Sequence, residues 1–188
     1  MKKSIVLLLI ILITVGCNLG TTEIAECKQY GAIEASLEWI PFSDSVKQAD
    51  LIAEVEILDS ETVFENMCKT KHSAKVVHTL VGESEEEITF LQSGSDKVLF
   101  NQNQIFQAGD TYLLFLRQTT SGSMADYWIY GEELGTYHID GDVLKRKIAD
   151  DELASIEPVD HDELLEPDVR QVVDREAYNS LVEETYEK

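Results

Sequence analysis

Basic residues are scarce in this chain: 15 Lys and Arg stand against 36 Asp and Glu in 188 residues, a formal charge of −21. That shortage excludes nucleic acid as a partner and an electrostatic grip on anionic lipid, because both need clustered cations to neutralise phosphates. Cysteine is scarce as well, with three residues, which excludes a dense disulfide framework. Catalytic signatures are missing. The four histidines, His72, His78, His138 and His161, form no His-Glu-x-x-His pair and have no neighbouring cysteines to complete a metal set. His72 and His78 are six apart, which in a regular strand puts them on one face about 20 Å from each other; they read as solvated or partly packed. Ser93-Gly94-Ser95 and Ser121-Gly122-Ser123 have loop chemistry, neither forms a nucleophile elbow, and no phosphate-cradling glycine loop is present. Asp140-Gly141-Asp142 and Asp160-His161-Asp162-Glu163 lack the twelve-residue calcium loop and are explained by a hairpin turn and a helix cap. No metal, no cofactor and no enzymatic activity are expected.

Long apolar runs are also absent, with one exception. Lys2 and Lys3 precede an uncharged stretch from Ile5 to Val15, followed by Gly16 and Cys17. A charged start, a run too short to span a bilayer comfortably and a small residue before the cut describe a removable signal peptide over residues 1–16. Thr14-Val15-Gly16-Cys17 resembles the lipobox of bacterial lipoproteins, with Thr14 where that motif usually carries Leu. The resemblance implies that the Cys17 thiol receives a diacylglyceryl group and becomes the new N-terminus, anchoring the chain at the extracytoplasmic face of the cell membrane. The alternative is a simple secretory signal in which Cys17 is incidental. Cleavage leaves 172 residues with 13 basic against 36 acidic side chains, a charge of −23. Such a chain relies on acyl groups to stay at a membrane, at about 0.8 kcal/mol per buried methylene.

With Cys17 lipidated, Cys27 and Cys68 remain. In an oxidising compartment they either pair, closing a loop worth about 3 to 4 kcal/mol, or stay as two separate thiols; spacing alone does not decide.

Residues 17–26 lack periodicity and read as a tether. Ser43-Asp44-Ser45 ahead of Val46–Ala49 predicts a short helix capped by Ser43 or Asp44. From Asp50 to Leu58 the alternation of Leu51, Ala53, Val55 and Ile57 with Glu54 and Glu56 predicts a strand. Further strands are expected over Ala74–Val81, Ile88–Leu91 and Thr111–Leu116, the last apolar on both faces and so at the centre of the sheet. Tyr127–Tyr130 is an aromatic strand, and Asp140-Gly141 between Thr136–Ile139 and Val143–Ile148 is a strong hairpin signal. The pattern changes at Ala149. Caps at Asp150 or Asp151 and at Asp160 predict short helices, and Val169, Val172, Val173, Ala177 and Leu181 behind Pro167 predict a longer one. Residues 149–188 hold 14 acids against three bases, an acidic helical tail whose apolar stripe packs on the preceding domain.

These elements predict a mainly β (α+β) chain: a small OB-like or Greek-key barrel of six or seven strands over residues 27–148, with the C-terminal acidic helical tail at one end. The order Gln48–Val55, Val76–Gly82, Ile88–Phe90 and Gly109–Phe115 resembles that of netrin-module and tissue-inhibitor-of-metalloproteinase domains, which are OB-fold barrels. The resemblance implies the fold alone. In the animal inhibitors a disulfide-bonded N-terminal cysteine chelates the protease zinc through its free amine, and a lipidated Cys17 has no sulfur left for that disulfide.

The expected function is a lipid-anchored extracytoplasmic binding module acting on a protein or cell-wall partner. Tyr127, Trp128 and Tyr130 are the candidate partner surface if their rings are exposed, and core if the tail covers them. An envelope hydrolase using carboxylates is the alternative, to be recognised by clustered, strongly perturbed carboxyls in a deep cleft. A protease-inhibitor or immunity-type lipoprotein is a third. Nothing in the sequence specifies an oligomeric state.

Overall fold

The structure, a computed structural model, describes residues 27–28 and 30–188. The segments expected to be a signal peptide and a tether, with Cys17, lie outside the described residues. Among those described there are ten strands and two α-helices: β1 Gly31–Ile33, α1 Phe42–Gln48, β2 Leu51–Glu65, β3 Met67–Val81, β4 Glu87–Ser93, β5 Val98–Phe100, β6 Thr111–Gln118, β7 Tyr127–Ile129, β8 Thr136–Asp140, β9 Val143–Arg146, β10 Gln171–Asp174 and α2 Arg175–Tyr186.

Five strands close a ring, with hydrogen-bonded neighbours β2-β3-β4-β7-β6 and back to β2. All neighbours are antiparallel except β4 and β7, which run parallel. This is a small OB-like Greek-key barrel. The apolar face predicted for β2 fills it: Leu51, Ala53, Val55 and Ile57 pack with Ala74, Ile88, Phe90, Leu114, Leu116, Tyr127 and Ile129. The strand Thr111–Gln118 is central, as its two-sided apolar pattern requires. Its first half pairs with β8 and its last residues with β7 along the same edge, so β6 is a fork from which β8, β9 and β10 continue outside the barrel.

The outer face of β2 and β6, together with this extension, carries a second core. Ile52, Leu113, Phe115, Tyr137, Leu144 and Val173 meet Phe42 and Val46 of α1 and Tyr178 and Val182 of α2. Tyr178 sits 4.7 Å from Tyr137 and 5.6 Å from Phe42, ring centre to ring centre. The acidic C-terminal segment thus covers this face with its apolar stripe.

Several expectations change. The first helix begins at Phe42 with Pro41 as N-cap, and no side chain caps it; the Pro41 carbonyl takes the amides of Asp44 and Ser45 instead. Asp150 does cap a short helix, its carboxylate accepting from Glu152 N at 3.0 Å, but that helix is 3-10, as is His161–Leu164, whose Asp160 makes no side-chain cap. Val172 and Val173 lie in a strand, since adjacent β-branched residues bury opposite faces of an extended chain. The long helix starts after them, at Arg175, capped by Asp174 accepting from Ala177 N at 2.8 Å. The β2–β3 hairpin is much longer than its apolar alternation, and its register shifts between Glu54 and Val55, leaving Val77 as an extra residue. A bulge reverses the facing of all that follows. His72 therefore lies fully buried inside the barrel while His78, expected on the same face, is on the outside near Glu54.

Cys27 and Cys68 form a disulfide, with alpha carbons 5.5 Å apart. It ties the first described residues to β3 and brings β1 alongside β5 in a parallel pair.

Candidate functional site

Opposite the helix-covered face, the fork in β6 leaves the mouth of the barrel open as a groove. One wall is the segment after β5, four carboxamides in a row: Asn101, Gln102, Asn103 and Gln104. Asn101 and Gln102 both have left-handed backbones, at φ 49° and 58°. Asn101 is held by donating its amide to Ile33 O and accepting from Ala35 N at its side-chain oxygen. From below, the Gln92 side chain of β4 donates to Gln104 O at 2.9 Å and accepts from Phe106 N at 3.2 Å.

Those two bonds fix the Gln92 amide, and its oxygen also faces His72 Nε2 at 3.0 Å. Nε2 therefore carries the imidazole proton and donates, leaving Nδ1 to accept from the Ser60 hydroxyl at 2.7 Å. Burial between Phe90 and Phe106 pushes His72 down to about 4, only partly opposed by its bond to Gln92. The unfolded chain protonates this imidazole near 6.5, so between these values it binds more protons than the folded chain. Stability accordingly falls as pH drops through that window. The expected loss between pH 7 and pH 4.5 is about 2 to 3 kcal/mol, measured by urea unfolding. His72→Gln removes it; an unchanged pH dependence in that variant would rule out His72 as its source.

The other wall comes from β8, β9 and the turn before them. Gly131 at φ 76° passes directly to Glu132, a non-glycine residue at φ 52°. Close packing forces this turn: a Cβ on Gly135 would sit 2.1 Å from Tyr130 O. The strained Glu132 points its carboxylate at the Ser93 hydroxyl, which donates at 2.6 Å. Burial raises the Glu132 carboxyl above its ordinary value, and the neighbouring charge of Glu133 adds to this against the Ser93 bond. Glu133 accepts from the Asn103 amide at one oxygen, while its other oxygen is buried without a hydrogen-bond partner. Lys145 is neutralised by Asp140 and Glu166, each at 2.8 Å, and these bonds raise its pKa.

Phe106 and Tyr112 form the floor, stacked with ring centres 4.0 Å apart, with His138 tilted against Tyr112 at 5.3 Å. The cavity over this floor measures about 330 Å³. A second, of about 530 Å³, runs on past Asn101, Gln102 and Arg170, and the two share Asn103, Glu133, Lys147 and Asp168. Among the described residues four non-glycines have positive φ, and three of them, Asn101, Gln102 and Glu132, line this groove. Each such conformation costs on the order of 1 to 3 kcal/mol and persists only where its surroundings enforce it.

The aromatic strand behaves differently from the groove. Tyr127 and Ile129 point into the barrel, whereas Trp128 remains 38% exposed on the outside. Tyr130 is half-buried beside Trp128, donates to Gln48 at 2.8 Å and lies under the Arg117 guanidinium. Tyr127 is thus core, enclosed by the barrel rather than by the tail. The acidic turns are internally paired: Asp140 holds Lys145, and His161 lies 3.2 Å from Asp162 and 3.5 Å from Glu157. Among the described residues no three His, Cys, Asp or Glu side chains are grouped to hold a metal ion, and no helix is long and apolar enough to cross a membrane.

Sequence reasoning missed the groove. Asn101–Gln104 fall in an aperiodic loop, and Glu132 acquires its character from Ser93 and Glu133 only after folding. The run of four carboxamides was the one signal available. At the level of fold the chain is a small OB-like β barrel. Compared with known proteins, it matches no protein-family model and no curated protein.

Proposed function

We propose that this chain is a binding module of the extracytoplasmic membrane face, tethered through a lipid on Cys17, with the groove at the barrel mouth as its ligand site. The observation that carries the reading is that three strained residues, Asn101 and Gln102 on the loop after β5 and Glu132 on the turn before β8, line one groove made of two adjoining cavities beside the barrel. Convergent polar groups over an aromatic floor are the usual form of a small-ligand site. The lipobox-like Thr14–Cys17 motif supports the anchor, and the OB-like connectivity supports the netrin-module resemblance as a matter of fold.

Mass spectrometry of the membrane-extracted protein tests the anchor, which predicts a diacylglyceryl mass on Cys17; an unlipidated N-terminus downstream of Cys17 overturns it. For the site, envelope extracts separated into glycan, peptide and small-molecule fractions are added to the full chain while its melting temperature is followed. A stabilising fraction is expected, with the effect lost in Gln104→Ala and kept in Trp128→Ala. The reverse pattern moves the site to the aromatic strand.

One observation favours a second reading. The raised Glu132 carboxyl, with the Glu133 carboxylate next to it, is the arrangement that a carboxylate hydrolase needs, Glu132 serving as proton donor. Under that reading Glu132→Gln abolishes turnover of the bound ligand while leaving binding intact; binding without turnover in the unaltered chain excludes it.

A further inference from the structure

Charge is distributed unevenly along the β2–β3 hairpin. At its base the turn Glu83–Glu87 holds four acids, and α2, whose Arg175 and Asn179 sit on Glu54, belongs to the segment 149–188 with its 14 acids against three bases. The tip is neutral. Over residues 59–75 Asp59, Glu61 and Glu65 are balanced by Lys69, Lys71 and Lys75, with Lys69 2.9 Å from Glu65 and Lys71 3.2 Å from Glu61. About 40 Å of strand, from Cys68 to Val81, separates the two ends.

The tip also gathers apolar side chains at the surface. Asn66 turns the hairpin with φ 65° and a half-buried Met67 follows it. The Ser123 hydroxyl donates to Glu65 at 2.8 Å and the Met124 backbone bonds the same carboxylate, so the loop before β7 is seated on the tip. Met124 itself is 49% exposed. Tyr30, three residues after Cys27, is 87% exposed. The Cys27–Cys68 disulfide fixes the start of the described chain at this same end. Cys17 stands ten residues before Cys27, a reach of at most about 35 Å. A folded domain of this size is roughly 40 Å across, so a lipid on Cys17 keeps the tip side near the bilayer and the opposite face away from it.

We infer that the tip of the β2–β3 hairpin, with Tyr30, Met67 and Met124, rests on the surface of the lipid bilayer, the acidic hairpin base and α2 pointing away. The inference rests on the Cys17 anchor. An exposed tyrosine and adaptable methionines suit the boundary between headgroups and acyl chains, and balanced charges meet no net repulsion from anionic lipid there. The acidic base meets that repulsion in full. Tether length and charge thus select one orientation.

With the signal peptide removed, Met67 and Met124 are the remaining methionines, so methionine methyl labelling places two NMR reporters at the tip. Val77→Met adds a third at the base, where Val77 is 53% exposed beside α2. The lipidated chain, its diacylglyceryl mass verified, is placed at one copy per nanodisc with gadolinium-chelating headgroups. Relaxation enhancement at Met67 and Met124 is expected to exceed that at the introduced methyl at least fivefold, on neutral and on anionic discs. Tyr30→Glu together with Met124→Gln, both at exposed positions, is expected to cut the Met67 enhancement at least threefold with an unchanged melting temperature.

Equal enhancement of all three methyls in a lipidated chain overturns the orientation and leaves the anchor standing. A Met67 enhancement that ignores both substitutions means that the tether alone places the tip, and overturns the contact. Enhancement that appears only with two copies per disc assigns the tip to a second chain instead of lipid. A chain without lipid on Cys17 overturns the anchor and the inference together, and the mass shows which of the two has failed.

Discussion

Replacing Cys27 and Cys68 together by alanine is expected to lower the unfolding free energy by about 4 kcal/mol. The two residues are 41 apart in sequence, and the unfolded chain recovers the freedom that closing so long a loop removes. Local structure depends on the bond as well. β1 meets β5 in three residue pairs, and Ala35 and Leu37 beyond it line the outer part of the groove. Without the disulfide this segment keeps the short β1–β5 pairing and the Asn101 contacts to hold it in place. Hydrogen exchange at Gly31 and Asn101, whose amides bond to Lys97 O and Ile33 O, is expected to accelerate more than that of the barrel strands. Urea unfolding of the double variant checks the first figure; a loss under 1 kcal/mol would mean that the bridge only decorates a segment already held by packing.

Arg175→Met is expected to cost about 3 to 4 kcal/mol. Glu54 lies on the outer face of β2, 2% exposed, and its carboxylate is held by Arg175 on two nitrogens and by the Asn179 amide at 3.0 Å. Burial alone raises this carboxyl; the bonds from Arg175 and Asn179, with the charges of Arg175 and His78, outweigh it and hold it below the ordinary range. A lowered carboxyl stabilises the fold above its unfolded value of 4.5, and that contribution disappears as pH falls through the folded value. It therefore acts below the His72 window. Removing Arg175 strands a buried charge, whereas Glu54→Leu with Arg175→Met removes both and is expected to recover most of the loss. If the single and double variants are equally unstable, packing of the arginine stem is the cause and the ion pair contributes little. The pair joins residues 121 apart, so its loss also loosens the C-terminal helix from the barrel.

The barrel was legible wherever one face of a strand alternates and the other is plain. Leu51, Ala53, Val55 and Ile57 announce β2, the two-sided run Thr111–Leu116 announces the central strand, and Asp140-Gly141 announces the β8–β9 hairpin. The far part of the long hairpin was not legible, since Asp59–Thr62 and Lys69–Ser73 are polar and fold by cross-strand pairing rather than by an apolar face. Val172 and Val173 satisfied a helical stripe and a strand alike, and only the edge offered by β9 decides between them. The bulge beside Val77 has no signature of its own, yet it sends His72 inward and His78 outward. The groove depends on contacts distant in sequence: Gln92 with Phe106, Glu133 with Asn103, Ser93 with Glu132. No local pattern encodes these.

The fork in β6 bears on how the chain tolerates shortening. Along Tyr112–Leu114 one edge belongs to β2 and the other to β8, so a chain cut before residue 136 leaves that second edge bare, along with Leu113 and Phe115. An uncovered strand edge beside apolar side chains is a template for pairing with other copies. Truncation there is expected to yield aggregates rather than a smaller soluble barrel, making the acidic C-terminal third a guard against self-association as well as a covering layer.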